Sequence, residues 1–291
     1  MKRKAICVRG AAFLLSILML AGAFGALLSA SAASSDYQFP PDAASVRVTL
    51  DGRVILEGEA VILNSTTYVP LRRLCEIVGV DSITWNAKAN VAVIKKGSTT
   101  VEVPNHGSYI TANGRVFYSS SPIRNISDRL FVPIRPIAEA LSLSVNWNSL
   151  TRTAELTRTG KMLISSSLYY DKDDLYWLAR IIHAEAQGES LVGKIAVGNV
   201  VLNRQRHPSY PNTIYGVIFD RKHGTQFSPV SFGTIYNTPG AESVTAAKIC
   251  LEGYSVDSGI LFFMNPRIAT NNWISKNRPF AFTIGNHDFY Y

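Results

Sequence analysis

Hydrophobic positions in the second half of the chain recur with helical spacing. One apolar stripe is formed by Leu175, Leu178, Ala179, Ile182 and Ala186, at i, i+3, i+4, i+7 and i+11. We expect Asp173 or Asp174 to cap the start of this helix and Gly188 to end it. Ser190 then caps a second predicted helix, which is rich in small and aliphatic residues.

Glu185 falls at the edge of the apolar stripe, near the C-terminal end of the first helix. Half-burial and the negative end of the helix dipole both favour the protonated carboxyl. A glutamic acid that holds its proton near neutral pH can donate it to a glycosidic oxygen. Periodicity alone also allows another interpretation, in which Glu185 and Glu189 form a solvated helix end.

Further along, the chain alternates predicted helices and short strands. We predict a helix over residues 213–219, a cleft-lining loop over 221–240 and a helix over 241–251. Short strands are predicted at 260–264 and 280–283. Helices followed by a small sheet indicate an α+β domain.

The first half of the chain contains an internal repeat with a period of 62 to 63 residues. The matching segments are Asp51-Gly52 with Asn113-Gly114, Tyr68-Val69-Pro70-Leu71-Arg72 with Phe131-Val132-Pro133-Ile134-Arg135, and Trp85-Asn86 with Trp147-Asn148. Each unit is predicted to form a hairpin, a helix (71–78 and 134–141), a Trp-Asn turn and a closing strand. The predicted class is therefore a mixed hairpin/helix repeat domain followed by an α+β domain.

The N-terminus has the pattern of an export signal. A basic head precedes an uncharged apolar run over residues 11–28, and Ala30-Ser31-Ala32 forms an A-x-A cleavage site. The rival interpretation is an uncleaved membrane anchor, because the run approaches the length needed to span a bilayer. Cleavage would lower the net charge from +8 to +4, because four basic and no acidic residues lie in the first 32. Such a small charge does not indicate a nucleic-acid partner.

The chain is thus predicted to contain five segments. They are a signal peptide (1–32), a linker (33–45), the repeat domain (46–158), a second linker (159–170) and a C-terminal catalytic domain (171–291). Cys75 and Cys250 lie on predicted helices of different domains, so we expect buried thiols and no disulfide framework.

Several motifs in the C-terminal segment occur together and in order. They are the segment from Ala179 to Glu189, AVGNVVLNR at 196–204, HPSYPNTI at 207–214, GVIF at 216–219, QFSPV at 226–230, FMNP at 263–266 and IGNHDFY at 284–290. From about residue 171 onward, the chain resembles the catalytic domain of the SleB/CwlJ cell wall hydrolases, the spore cortex-lytic enzymes. This resemblance implies a lysozyme-like α+β fold and a peptidoglycan substrate.

The resemblance also implies a chemistry for Glu185. It would act as the single acid/base of a lytic transglycosylase that cuts the MurNAc–GlcNAc backbone, with a role in spore cortex hydrolysis during germination. The alternatives are a hydrolytic muramidase of vegetative wall turnover and a non-catalytic wall-binding protein. The candidate substrate-binding residues are Glu189, Gln226, Phe227, Ser228, Tyr236, Asn265 and His287. For each of these residues a purely structural role stays open: a packed loop for Gln226, Phe227 and Ser228, ordinary core packing for Tyr236 and His287, a turn cap for Asn265, and an ion pair with a basic residue such as Lys194 for Glu189.

The repeat at 46–158 resembles the copper amine oxidase N-terminal domain. Only His106 lies in this region, so no copper site and no oxidase activity are expected. We expect no cofactor and no metal, and likewise no zinc at His183-Ala184-Glu185, because the P-C-x-x-C half of the deaminase signature is missing. The expected partner is peptidoglycan, in a secreted, extracytoplasmic, wall- or cortex-associated protein whose only membrane contact is the signal segment. A gating accessory protein is left open.

Overall fold

The computed structural model describes residues 37–222 and 224–291, which form one compact unit. The predicted signal peptide lies outside the described residues. Within them, no helix combines the length and the apolar character needed to cross a membrane. Tyr37 and Phe39, in the predicted first linker, pack edge-on against Phe131, with ring centroids 5.0 and 5.6 Å apart from it.

The N-terminal region is built from twelve described strands and two short helices. The strands are β1 (Ala44–Leu50), β2 (Arg53–Leu63), β3 (Thr66–Pro70), β4 (Ser82–Asn86), β5 (Val91–Lys96), β6 (Thr99–Pro104), β7 (Tyr109–Ala112), β8 (Arg115–Tyr118), β9 (Arg124–Ile126), β10 (Arg129–Pro133), β11 (Leu143–Asn148) and β12 (Thr153–Arg158). The helices are α1 (Leu71–Val78) and α2 (Ile134–Ala140). Both predicted helices are confirmed, and a proline precedes each.

The predicted hairpin turns are also confirmed. Asp51 and Gly52 join β1 to β2, and Asn113 and Gly114 join β7 to β8. All four residues have positive φ, between 48° and 79°. Positive φ at both central residues is the requirement of a type I′ turn, whose twist matches that of the paired strands.

The strands of each repeat unit are divided between two sheets. One sheet has the order β11-β12-β1-β2-β3-β10-β9, and its β1–β12 pair is parallel. A second sheet has the order β4-β5-β6-β7-β8. The closing strand of the second unit (β12) thus pairs with the opening strand of the first (β1), while the closing strand of the first (β5) lies in the same sheet as the β7–β8 hairpin of the second, separated from it by β6. The predicted Trp-Asn turns end β4 and β11, and each Asn side chain then accepts a hydrogen bond from the turn that follows.

The C-terminal region has helices first and a small sheet last, as the α+β prediction requires. Its helices are α3 (Ser166–Tyr169), α4 (Lys172–Ala186), α5 (Leu191–Arg206), α6 (Ile214–Phe219), α7 (Ser228–Phe232), α8 (Ala241–Leu251) and α9 (Trp273–Asn277), with a 3₁₀ turn at Thr234–Tyr236. The strands β13 (Phe262–Met264), β14 (Phe280–Ile284) and β15 (His287–Tyr290) pair in the order β13-β15-β14.

Two sequence predictions about this region are wrong in detail. The cap of α4 is Asp171, whose carboxylate accepts the backbone N–H groups of Asp173 (2.9 Å) and Asp174 (3.0 Å). Asp171 fits because a cap must precede the first turn, which both predicted residues occupy. The predicted loop over 221–240 contains α7 and the 3₁₀ turn, whose short apolar pattern gave no periodic signal.

Helix α5 is buried along almost its whole length, between α4 and α8. The three helices approach one another closely at Gly198, where a Cβ would come within 2.8 Å of Ile182 on α4 and 2.7 Å of the Cys250 sulfur on α8. The polar side chains of α5 bond the backbone of the loop after α8. Asn203 donates to the carbonyls of Asp257 (3.0 Å) and Ile260 (2.9 Å). This loop leads directly into β13 and therefore positions the small sheet against α5.

Candidate active site

Glu185 lies in the last turn of α4, where its side chain is half-buried. Among the described residues, none donates a hydrogen bond to its carboxyl group. Burial raises the pKa of Glu185 from its ordinary 4.5 to about 7, against an opposing effect of the Arg204 guanidinium. Burial at the end of this helix therefore favours the protonated form of the carboxyl.

Arg204 lies near the end of α5, and its positive charge lowers the pKa of Glu185. Only 5% of it is exposed, and its Nε donates to the carbonyl of Leu261 at 2.7 Å. The guanidinium carbon lies 5.2 Å from the ring centroids of Tyr210 and Phe227. Rings at this distance stabilise a buried cation through their negative faces. Burial lowers the pKa of Arg204, while neighbouring anionic groups oppose this effect.

Arg204 has no predicted role from the sequence. The available signal was an arginine that follows a run of small and aliphatic residues on the same helix, because a buried charge needs a partner. The partners come from positions distant in sequence, which a helical pattern does not reveal. One nitrogen of the group, Nη1, is buried without a hydrogen-bond partner within the part of the chain that the structure describes.

An aromatic row connects three of the motifs found in the sequence. Phe227 is buried, and its ring centroid lies 6.3 Å from that of Phe263. Phe263 in turn lies 5.3 Å from the His287 ring, at an interplanar angle of 82°. The predicted residues Phe227 and His287 are therefore brought together through Phe263, for which the sequence analysis proposed no individual role.

His287 opens β15 and is 6% exposed. Burial lowers the pKa of its imidazole, and the carboxylates of Glu189 and Asp288 oppose this effect. A neutral ring has one donor and one acceptor nitrogen. The Nδ1 atom is buried and has no hydrogen-bond partner among residues 37–222 and 224–291.

Glu189 lies in the turn between α4 and α5, and its carboxylate is held by Asn286. The side-chain amide of Asn286 donates at 2.8 Å and its backbone N–H at 3.2 Å. Partial desolvation raises the pKa of Glu189, but these two hydrogen bonds outweigh it and hold that pKa below its usual range. The Lys194 amine bonds the Glu189 backbone carbonyl rather than its carboxylate, and it pairs with the Glu242 carboxylate at 2.6 Å.

The remaining candidate residues lie at the ends of short elements. Gln226 is half-buried and donates to the Gly224 carbonyl at 3.2 Å, and Ser228 is the exposed first residue of α7. Tyr236 is 62% exposed. The Asn265 side chain accepts the backbone N–H of Arg267 at 3.0 Å, a structural contact that caps the turn. Their roles in substrate binding stay predictions.

Comparison with known families agrees with both resemblances. Residues 188–290 match the family described as Cell Wall Hydrolase, and residues 49–163 match the Copper amine oxidase N-terminal domain. Glu185 lies just before the first of these matches.

Curated relatives match over part of their length. Over 120 residues, or 41% of this chain, it is 36% identical to a spore cortex-lytic enzyme of Bacillus cereus and 34% identical to that of Bacillus subtilis strain 168. The match covers 45% and 38% of these relatives, so the chain spans less than half of their length.

Two solved structures are similar to the C-terminal region. One is the catalytic domain of the germination-specific lytic transglycosylase SleB from Bacillus anthracis, at 35% identity, covering 42% of this chain and 97% of that chain, with a TM-score of 0.39. The other is the catalytic domain of the Bacillus cereus SleB protein, also at 35% identity, covering 92% of that chain, with a TM-score of 0.38.

Proposed function

The C-terminal domain belongs to the cell wall hydrolase family, and from this premise we propose that the protein cleaves the MurNAc–GlcNAc backbone of peptidoglycan with Glu185 as its acid/base. The observation that carries the proposal is the half-buried Glu185 carboxyl with its pKa raised to about 7. Near neutral pH, a substantial fraction of this group holds its proton. A general acid works best when its pKa lies near the operating pH.

The proposed reaction is a lytic transglycosylation. Glu185 donates its proton to the glycosidic oxygen as the bond from that oxygen to the anomeric carbon of the muramic residue breaks. The 6-hydroxyl oxygen of the same sugar then bonds to the anomeric carbon, and its proton returns to Glu185. The products are a 1,6-anhydro-muramic end and a free hydroxyl on the leaving sugar, so no external nucleophile is consumed.

The environment of Glu189 favours this route over a two-carboxylate mechanism. Both oxygens of its carboxylate accept hydrogen bonds from Asn286. A nucleophile or base needs a lone pair directed at the reacting atom or water. Glu189 is therefore better suited to fixing the loop between β14 and β15 than to a covalent step. Water as the nucleophile, which gives a muramidase, is the second candidate function.

The setting follows from the substrate. Peptidoglycan lies outside the cytoplasmic membrane, so the protein must be exported, and the predicted signal peptide at 1–32 supplies a route. We propose the spore cortex during germination as its site of action, because the curated relatives are named for cortex lysis. Activity on the vegetative wall and gating by an accessory protein are tested in the same assay.

The experiment is mass spectrometry of muropeptides released from purified cortex and vegetative wall by the protein lacking residues 1–32. We expect anhydro-muramic products from the parent and none from Glu185→Gln. Glu57→Gln, which removes an exposed carboxylate of β2, is the matched control and should retain full activity.

Each other result corrects the proposal in a definite way. Reducing muramic ends would assign water as the nucleophile. Full activity of Glu185→Gln would remove this residue from the mechanism. Absence of glycan products from a folded parent would favour the non-catalytic binding protein, unless addition of spore extract restores cleavage and so identifies a gating partner.

A further inference from the structure

The two repeat units form two cavities of about 570 Å³ each, at equivalent positions. Residues that line one cavity recur 62 or 63 positions later in the lining of the other. The pairs include Arg72 with Arg135, Trp85 with Trp147, and Ala92 with Ala154. The repeat motifs found in the sequence therefore do more than start α1 and α2. Each copy also lines one of the two cavities.

Each cavity presents an aromatic ring and a guanidinium group to solvent. Trp85 is 48% exposed and Trp147 is 42% exposed. Arg72 and Arg135 are exposed as well, and within the described part of the chain neither makes a hydrogen bond or an ion pair. Each indole is therefore accessible to a ligand at the rim of its cavity, and the charge of the lining must decide which cavity binds one.

The two cavities differ in charge. Arg135 is the one charged side chain in the described lining of the Trp147 cavity, where the remaining polar groups are mainly hydroxyls, such as those of Ser65 and Thr67.

The Trp85 cavity instead includes Glu59, Glu76 and Asp128 beside its arginines. The counterpart of Glu76 in the second unit, Glu139, stands one helical turn beyond Arg135 and outside the lining. The Trp147 cavity is therefore the one suited to an anionic ligand.

We propose that the Trp147 cavity binds a wall glycan that carries a carboxylate. A sugar ring stacks on the Trp147 indole, and the carboxylate pairs with the Arg135 guanidinium, whose planar array of donors fits carboxylate geometry. The hydroxyls of the lining bond the ring substituents. The choice of a wall glycan rests on the proposed function of the C-terminal domain, whereas the carboxylate rests on the charge of the lining.

The cavity also lies where the two regions meet. Tyr254, which follows α8, contributes to its wall, and its ring centroid lies 4.5 Å from that of Tyr118 on the repeat side. A glycan bound here is held by side chains from both regions. The site would therefore present bound wall to the catalytic domain at a fixed distance.

The test uses the full mature chain with Glu185→Gln, so that binding is measured without cleavage. Co-sedimentation with purified peptidoglycan gives the apparent affinity of this parent and of four variants. We expect Arg135→Ala and Trp147→Ala each to weaken binding about tenfold, which corresponds to roughly 1.4 kcal/mol. The equivalent changes Arg72→Ala and Trp85→Ala should leave binding unchanged. All four side chains are exposed, and circular dichroism verifies that every variant is folded.

Equal loss in both cavities, or no loss in the Trp147 cavity, would overturn the proposal. These outcomes are independent of the cleavage assay, so failure of this site and failure of the proposed catalysis are distinguishable.

A competition experiment then identifies the carboxylate. N-acetylmuramic acid carries a free lactyl carboxylate, muramyl dipeptide carries one on its peptide, and N-acetylglucosamine has none. Displacement by either acidic sugar at concentrations at least tenfold below those of N-acetylglucosamine supports the proposal and locates the charge. Equal displacement by all three, or displacement by none, contradicts it.

Discussion

Arg115 of the repeat region and Glu252 of the C-terminal region form a two-point ion pair. The guanidinium donates from Nε at 2.9 Å and from Nη2 at 2.6 Å, and only 11% and 9% of the two side chains are exposed. The Tyr170 hydroxyl donates to the same carboxylate, and the Arg115 guanidinium lies 3.4 Å from the centroid of the Tyr169 ring. Two residues of the predicted second linker therefore complete this contact.

Removal of one partner of this pair should strongly destabilise the protein. Arg115→Ala leaves the Glu252 carboxylate buried without its counter-charge, which costs about 3–5 kcal/mol. Denaturant unfolding measures the change. The control is Arg47→Ala, in a pair with Glu57 whose side chains are 49% and 61% exposed, and here the expected loss is about 1 kcal/mol or less. Equal losses at the two sites would show that the buried pair contributes no more than an exposed one.

The raised pKa of Glu185 makes stability depend on pH. Its ordinary pKa is 4.5 and its folded pKa is about 7, so between these values the unfolded chain loses a proton that the folded chain keeps. The stabilisation that this group contributes is therefore fully present below pH 4.5 and is lost as the pH rises from 4.5 through 7. Glu185→Gln should be more stable than the parent at pH 8, by up to about 3 kcal/mol, and equally stable at pH 4. Denaturant midpoints at the two pH values test this, and a pH-independent difference would contradict it.

Arg204 should set the alkaline limit of activity. Its positive charge lowers the pKa of Glu185, so Arg204→Met should raise that pKa and move the alkaline limb of the rate profile to higher pH. Methionine retains much of the apolar volume between the surrounding rings. The limb position reports the charge effect separately from any general loss of rate, because a purely structural role would lower the rate at every pH without moving the limb.

Gly285 permits the contact between Glu189 and the loop after β14. Its φ is +59°, and a Cβ there would overlap the Glu189 carboxylate. Gly160 has a similar φ of +67°, but a Cβ there would have no heavy atom within 4 Å, so this position isolates the backbone cost. We expect Gly160→Ala to cost about 1 kcal/mol and Gly285→Ala clearly more, as measured by the free energy of unfolding. Equal losses for the two substitutions would show that the position of the Glu189 carboxylate does not depend on Gly285.

Local features were predictable from sequence because their causes are local. The type I′ turns follow from Asp-Gly and Asn-Gly, and α1 follows from a proline and the spacing of Leu71, Leu74 and Val78. The position of Glu185 at the end of α4 followed from its apolar stripe in the same way. These features need no knowledge of which segments meet in space.

The surroundings of Glu185 could not be predicted, because they are assembled from distant segments. Arg204 lies on the next helix, and the rings that surround its guanidinium come from three later segments. The cap at Asp171 was missed since three aspartates compete within four positions, and only the backbone decides which of them precedes the first turn. The pairing of β1 with β12 joins residues more than a hundred positions apart, which periodicity does not encode.

That parallel pairing also governs how the chain can fold. Because β12 hydrogen-bonds along β1, the N-terminal region closes only after residue 158 has become available, and neither repeat unit satisfies its strands alone. Long-range pairing of this kind makes folding slow, since chain entropy is lost before the contacts that compensate for it can form. β1 can pair with β2 at once, but a chain that emerges from its N-terminus onward must hold the other edge of β1 unpaired until most of the region has followed. Release of a truncated product within that interval would leave an open strand edge, the kind of surface on which chains aggregate.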